Sequence, residues 1–205
     1  EHTAILLNTG KVVTFGNGGY GRLGTGDTTQ RNSPYGVVDA SGYDSTNAVA
    51  VSCGRAHTSI LLNTGKVVTF GSGQFGQLGN GNYDDSSLPN VVANAFGYNS
   101  TNAVAVSSGN NHTAILLNTG KVVTFGFNMK GQLGNGISGV DVSSNSPVSV
   151  MDASGYNSSN AVAVSCGGFH TAILLNTGKV VTFGEGNVGQ LGNGAIKRDS
   201  PYGVT

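Results

Sequence analysis

The block His-Thr-Ala-Ile-Leu-Leu-Asn-Thr-Gly-Lys-Val-Val-Thr-Phe-Gly fills residues 2–16 and returns unchanged at 112–126 and 170–184. At 57–71 it differs only at Ser59. The leading histidines, His2, His57, His112 and His170, lie 55, 55 and 58 residues apart. A Gly-x-Leu-Gly motif follows each block, as Gly21-Arg22-Leu23-Gly24, Gly76-Gln77-Leu78-Gly79, Gly131-Gln132-Leu133-Gly134 and Gly189-Gln190-Leu191-Gly192. Next comes a proline (Pro34, Pro89, Pro147, Pro201), and then Asn-Ala-Val-Ala-Val-Ser from Asn47, Asn102 and Asn160. A fixed period of this length means that one supersecondary unit is stacked several times. The expected repeats are residues 1–46, 47–101, 102–159 and 160–205, all in a single domain.

Each period reads as four strands. Ala48 to Ser52 alternates small and β-branched residues, as a buried strand would. Thr58–Leu62 and Lys66–Phe70 flank Asn63-Thr64-Gly65, which fits a three-residue hairpin loop with glycine in the left-handed position. The last strand surrounds Pro89-Asn90-Val91-Val92, and proline confines it to an edge. No segment has helical spacing, and the Gly and β-branched content opposes helix. Four antiparallel strands per repeat make one β-propeller blade, with the Ala-Val strand at the axis and the proline strand at the rim. A β-solenoid, the rival, would not need a hairpin and an edge proline in each unit. The fold expected is therefore all-β, a β-propeller of four-stranded antiparallel blades with about four blades in this chain, part of a larger ring. The sequence begins at a second strand and stops where another inner strand is due. The expectation is a fragment of a longer propeller, or two copies joined head to tail.

Composition narrows the function. Only 10% of residues are charged, against about 25% in an average protein, and ten basic side chains balance ten acidic ones. A duplex nucleic-acid binder would need a basic face, so nucleic acid is not an expected partner. No apolar run approaches the roughly 18 residues of a membrane span, no signal peptide is visible, and no membrane partner is expected. The low charge, polar loops and near-identical repeats look like those of a surface or secreted protein.

Gly54-Arg55-Ala56-His57-Thr58, Gly65-Lys66-Val67, Phe70-Gly71, Gly76-Gln77-Leu78-Gly79 and Pro89, repeated along the whole chain, resemble the regulator of chromosome condensation repeat family. The resemblance implies a β-propeller, typically of seven blades. Two departures stand out: Phe15, Phe70, Phe125 and Phe183 replace the family's usual Trp, and there are fewer than seven repeats. Family roles implied are nucleotide exchange on a Ran-like small GTPase, ultraviolet-B sensing through Trp clusters, and protein binding, as in a secreted bacterial inhibitor of β-lactamases. With no Trp in the chain, the light-sensing role is excluded.

The chemical motifs read as structural. One histidine per repeat points to hydrogen bonds to nearby backbone that link strands or blades, because equivalent positions on successive blades do not converge as zinc ligands must. Cys53 and Cys166 share a repeat position two blades apart, which puts them beyond disulfide reach as small buried residues. Gly16-Asn17-Gly18-Gly19-Tyr20-Gly21 matches a dinucleotide fingerprint but leads into no helix. Asp84, Asp85 and Asp141 read as solvated loop charges. Glycosylation-type triplets at Asn99, Asn111 and Asn157 are expected by chance in so polar a repeat. No nucleophile–base–orienter set can be assembled, so neither enzyme chemistry nor a cofactor is expected.

Three segments vary between copies while the scaffold does not. One follows Phe-Gly (residues 17–20, 72–75, 127–130 and 185–188), one precedes His-Thr (55–56, 110–111 and 168–169), and one precedes the proline (27–32, 82–88, 137–145 and 195–199). Under equal packing constraints, variation marks exposed loops. Tyr20, Phe75, Phe127, Met129 and Phe169 are residue types favoured as interface anchors. Arg22, Arg31, Arg55, Lys130, Lys197 and Arg198 are the candidate polar contacts. The function expected is a protein-binding or scaffolding propeller. The alternatives are GTPase nucleotide exchange and self-assembly through open blade edges.

Overall fold

The computed structural model describes residues 1–139 and 141–204; Val140, inside a variable segment, and Thr205 lie outside them. Among the described residues the first blade has three strands, β1 (His2–Leu6), β2 (Val12–Gly16) and β3 (Arg31–Gly36). The second has β4 (Ala48–Cys53), β5 (His57–Leu62), β6 (Val67–Gly71) and β7 (Ser86–Val91). The third has β8 (Ala103–Ser108), β9 (His112–Leu117), β10 (Val122–Gly126) and β11 (Ser144–Ser149). The fourth has β12 (Ala161–Cys166), β13 (His170–Leu175), β14 (Val180–Glu185) and β15 (Lys197–Gly203). Strands within a blade pair antiparallel in chain order, and the proline strand is an edge in every sheet. Gly65, with φ of 80°, closes the β5–β6 hairpin, where the Leu62 amide donates to the Lys66 carbonyl at 2.8 Å.

Two sequence expectations are corrected. The inner strand is not a simple alternation: Ala48 pairs with Leu62 but Ala50 with Leu61, so Val49 is a bulge residue and is 53% exposed. The bulge lets Ala48 and Val51 share one face of the blade. The segments before the prolines are also only partly loop. The outer strands begin at Arg31, Ser86, Ser144 and Lys197, ahead of their prolines, because a bulge beside Gly71 lets the ladder resume at Ser86.

The core lies between blades rather than within them. Ala4, Leu6, Val12, Val37 and Tyr43 of the first blade pack on Ile60, Leu62, Val68 and Phe70 of the second. The same layers recur at the next two seams. The first three Gly-x-Leu-Gly loops each lock a seam: a Cβ at Gly79 (φ 65°) would lie 2.6 Å from the Phe125 ring of the following blade. Stacking does the burying, as repeat architectures require. Leu174 on the far face of the fourth blade is 38% exposed, whereas its counterpart Leu116 is 4% exposed.

Candidate protein-binding face

Antiparallel topology sorts the connections into two ends. The β5–β6 hairpin and the β7–β8 connection, with their counterparts, form one end. The β4–β5 turn and the β6–β7 loop, with theirs, form the other. Every segment that varies between repeats and precedes an outer strand or a His-Thr pair falls at this second end, the loop end.

The turns there are fixed from below. The Arg55 amide donates to the Asn110 carbonyl at 3.2 Å, and the Asn110 amide to the Gly168 carbonyl at 3.1 Å, tying the axial turns of three blades together. Beneath them the His-Thr pairs bridge the seams. Thr113 Oγ1 donates to the Gln77 carbonyl at 3.0 Å. Its single hydrogen is thereby spent, so His57 Nε2 is the donor in the 2.9 Å contact with Thr113 Oγ1. His2 with Thr58 and His112 with Thr171 repeat the relay. The histidine's partner is thus a side chain of the next blade rather than backbone. The tautomer follows: Nδ1 is bare, buried and without a protein partner in His2, His57 and His112. Burial holds His57 and His112 at pKa values of about 3 and His2 at about 4, so all three are neutral at pH 7. Among the described residues, no group of three His, Cys, Asp or Glu side chains could hold a metal ion. Cys53 and Cys166 are free and partly buried; burial raises both thiols, Cys166 to about 12, away from nucleophilic character.

On this base the loops assemble an aromatic row. The Phe75 and Phe127 rings meet edge to face at 5.0 Å, and Phe127 and Phe169 lie 6.2 Å apart. Three blades contribute one ring each. Lys130 and Glu185 bridge the third and fourth blades at 3.1 Å beside the row. Met129 is partly exposed on the same loop as Phe127. Tyr20 stands apart from the row, across a cleft of about 400 Å³ lined by Tyr20, Arg22, Arg55, Ser72, Gln74 and Phe75 among others.

Not every predicted contact residue joins this surface. The Arg22 side chain is only 3% exposed; it forms the cleft floor and bonds Glu1 Oε2 at 2.6 Å. Arg31 pairs with Asp27 at 2.7 Å and covers the Tyr35 ring on the rim of the first blade. Lys197 and Arg198 lie on β15 at the rim of the fourth, where Arg198 covers Tyr202 at 4.2 Å. These three flank the arc rather than the aromatic row. Asp85 is more than solvated charge, since its Oδ1 accepts from the Gly73 amide at 2.9 Å and pins the loop bearing Phe75. The dinucleotide-like glycines lead only into a single 3-10 turn, Gly19–Gly21, with Tyr20 at φ of 62°. Asn99 and Asn157 accept bonds from the backbone two residues ahead.

Sequence reasoning missed the lock at the opposite end. The hydroxyls of Tyr43, Tyr98 and Tyr156 accept the amides of Val12, Val67 and Val122, each at 2.8 Å. The signal was present as Gly-Tyr at 42–43, 97–98 and 155–156.

Radial antiparallel sheets, one of three and three of four strands among the described residues, with interblade cores make this a β-propeller repeat protein. The model of the regulator of chromosome condensation (RCC1) repeat matches residues 9–61, 64–116 and 119–174, and a second model of the same repeat matches 48–77, 103–132 and 161–190. The chain belongs to that family. It is 34% identical to the ultraviolet-B receptor UVR8 of Arabidopsis thaliana over 98% of its length and 43% of the receptor's. It is 32% identical to the probable E3 ubiquitin-protein ligase HERC4 of Mus musculus over 99% of its length but 18% of the ligase. Human WBSCR16 superposes with a TM-score of 0.83 at 23% identity, covering all of this chain and 50% of that one. Yeast RCC1 (Prp20), solved bound to Kap60, gives 0.79 at 19% identity over 47% of its length. The chain spans about half the length of these solved propellers and less of the curated relatives.

Proposed function

We propose that this chain is a non-enzymatic protein-binding propeller segment whose loop end carries the partner. The observation that carries this reading is the Phe75–Phe127–Phe169 row, built by three blades from loops that vary while their supports stay the same. Aromatic anchors on a rigid base are what protein interfaces use for affinity, since little side-chain entropy is lost on binding. Solved relatives have protein partners: one yeast RCC1 structure contains Kap60, and another concerns binding to Gsp1p and histones. Nucleotide exchange on a Ran-like GTPase is the alternative, tested by a nucleotide-release assay; no feature of the loop end favours it.

Affinity capture from the native extract, quantified by mass spectrometry, tests the main reading. A triple variant, Phe75→Ser with Phe127→Ser and Phe169→Ser, should lose prey that the wild type enriches about tenfold or more. A variant of the other end, Lys66→Ser with Lys121→Ser, should keep it. Equal prey on all three baits refutes the reading.

A further inference from the structure

Internal repetition makes the cleft beside Tyr20 interpretable, because the same place can be inspected at the next seam. Asn17, Ser72, Phe127 and Glu185 hold one position in successive repeats. At the seam of the second and third blades the Phe127 ring fills that position and meets Phe75 at 5.0 Å. At the seam of the first and second blades the position holds Ser72, too small to fill it, and the cleft opens there. Tyr20, the counterpart of Phe75, is 47% exposed on its wall. The cleft thus lies where the next seam places an aromatic ring, and Ser72 supplies none.

The floor differs as well. Arg22 stands where the other repeats carry Gln77, Gln132 and Gln190. Its guanidinium donates to the Gly19 carbonyl at 2.9 Å and the Arg55 carbonyl at 3.2 Å, and to the Glu1 carboxylate at 2.6 Å. A buried guanidinium is stable only with an acid or equivalent acceptors beside it. Glu1 occupies the place that Ala56, Asn111 and Phe169 hold elsewhere, and its side chain is 48% exposed. The exposed Arg55 guanidinium approaches the same carboxylate at 3.8 Å. A half-exposed acid therefore sits at the floor between a buried and an exposed cation.

We propose that this cleft binds an acidic residue adjoining an aromatic one in a protein partner: the ring replaces the missing counterpart of Phe127 against Tyr20, and the carboxylate displaces Glu1 from Arg22. The proposal rests on the loop end being the binding face and assigns the chemistry of its ligand. Charge-assisted bonds from a desolvated guanidinium make the carboxylate the discriminating group.

The test is an amide-resolved NMR titration of the chain with acetyl-Gly-Phe-Glu-Gly-amide and its glutamine twin. The glutamate peptide should perturb Tyr20, Ser72 and Gln74 and bind about tenfold tighter than the twin. Arg22→Gln, the residue of the other repeats, should reduce its affinity to that of the twin. Glu1→Gln should raise it about threefold by removing the internal competitor. Ser72→Phe should abolish both titrations by placing the third repeat's ring in the cleft. Equal affinity of the two peptides, no response at the cleft, or indifference to Arg22→Gln would overturn the proposal. The capture experiment is read separately, so prey lost with the aromatic row but insensitive to Arg22→Gln leaves the binding face standing and removes only this ligand assignment.

Discussion

The two ends of the blades are fastened by different chemistry and used differently. At the hairpin end the same Asn-Thr-Gly-Lys turn recurs at residues 8–11, 63–66, 118–121 and 176–179, and in each of the first three blades a tyrosine hydroxyl accepts a valine amide of the same blade, tying down the connection that leads to the next. At the loop end the seams are closed by an imidazole-to-threonine relay, and the tips above it differ in each repeat. One end repeats both support and surface. The other repeats only the support, which is what frees its surface to specialise.

Acid separates the two locks most strongly. The unfolded state takes up protons on His57 and His112 near pH 6.5, whereas the folded state resists until about pH 3. Between those values the unfolded chain binds more protons, so stability falls as pH falls, by about 1.4 kcal/mol per pH unit for each fully buried histidine. Buried phenols such as Tyr98 shift upward and do not titrate in this window. Urea unfolding at pH 6.5 and pH 5.0 should differ by about 3 kcal/mol for the pair; a flat profile breaks the distinction between the locks.

A smaller loss should follow Gly79→Val, which combines a left-handed backbone at φ of 65° with a Cβ 2.6 Å from the Phe125 ring. About 1–3 kcal/mol is expected, read as a lower urea midpoint with an unchanged slope. The smallest effect belongs to a tip. Phe75→Ser, at a residue 38% exposed, should change stability by under about 0.5–1 kcal/mol, well below Gly79→Val four residues away. A comparable loss at both positions would mean that the tips also support the fold.

Much of this was legible before any coordinates. The hairpin at Asn63-Thr64-Gly65, the edge strand at Pro89 and the exposure of the variable loops follow from local turn chemistry and a fixed period. What escaped depends on partners brought in from another blade. Nothing beside Val49 announces a bulge, because pairing it out depends on the neighbouring strand's register. Arg22 reads as a surface cation until Glu1 and the Arg55 carbonyl are placed beside it. Lys197 and Arg198 read as loop residues because the ladder restarts after a bulge that local sequence does not specify. The aromatic types of Phe75, Phe127 and Phe169 were visible, but their mutual contact was not: they come from separate repeats, up to 94 positions apart.

The histidine relay crosses every seam in one direction, from each blade to its successor, and demands nothing of the residues at the tips. The joint is therefore indifferent to what it carries. A repeat can acquire a new recognition surface without its neighbours having to adjust, so diversity at one rim is compatible with near-identity everywhere below it.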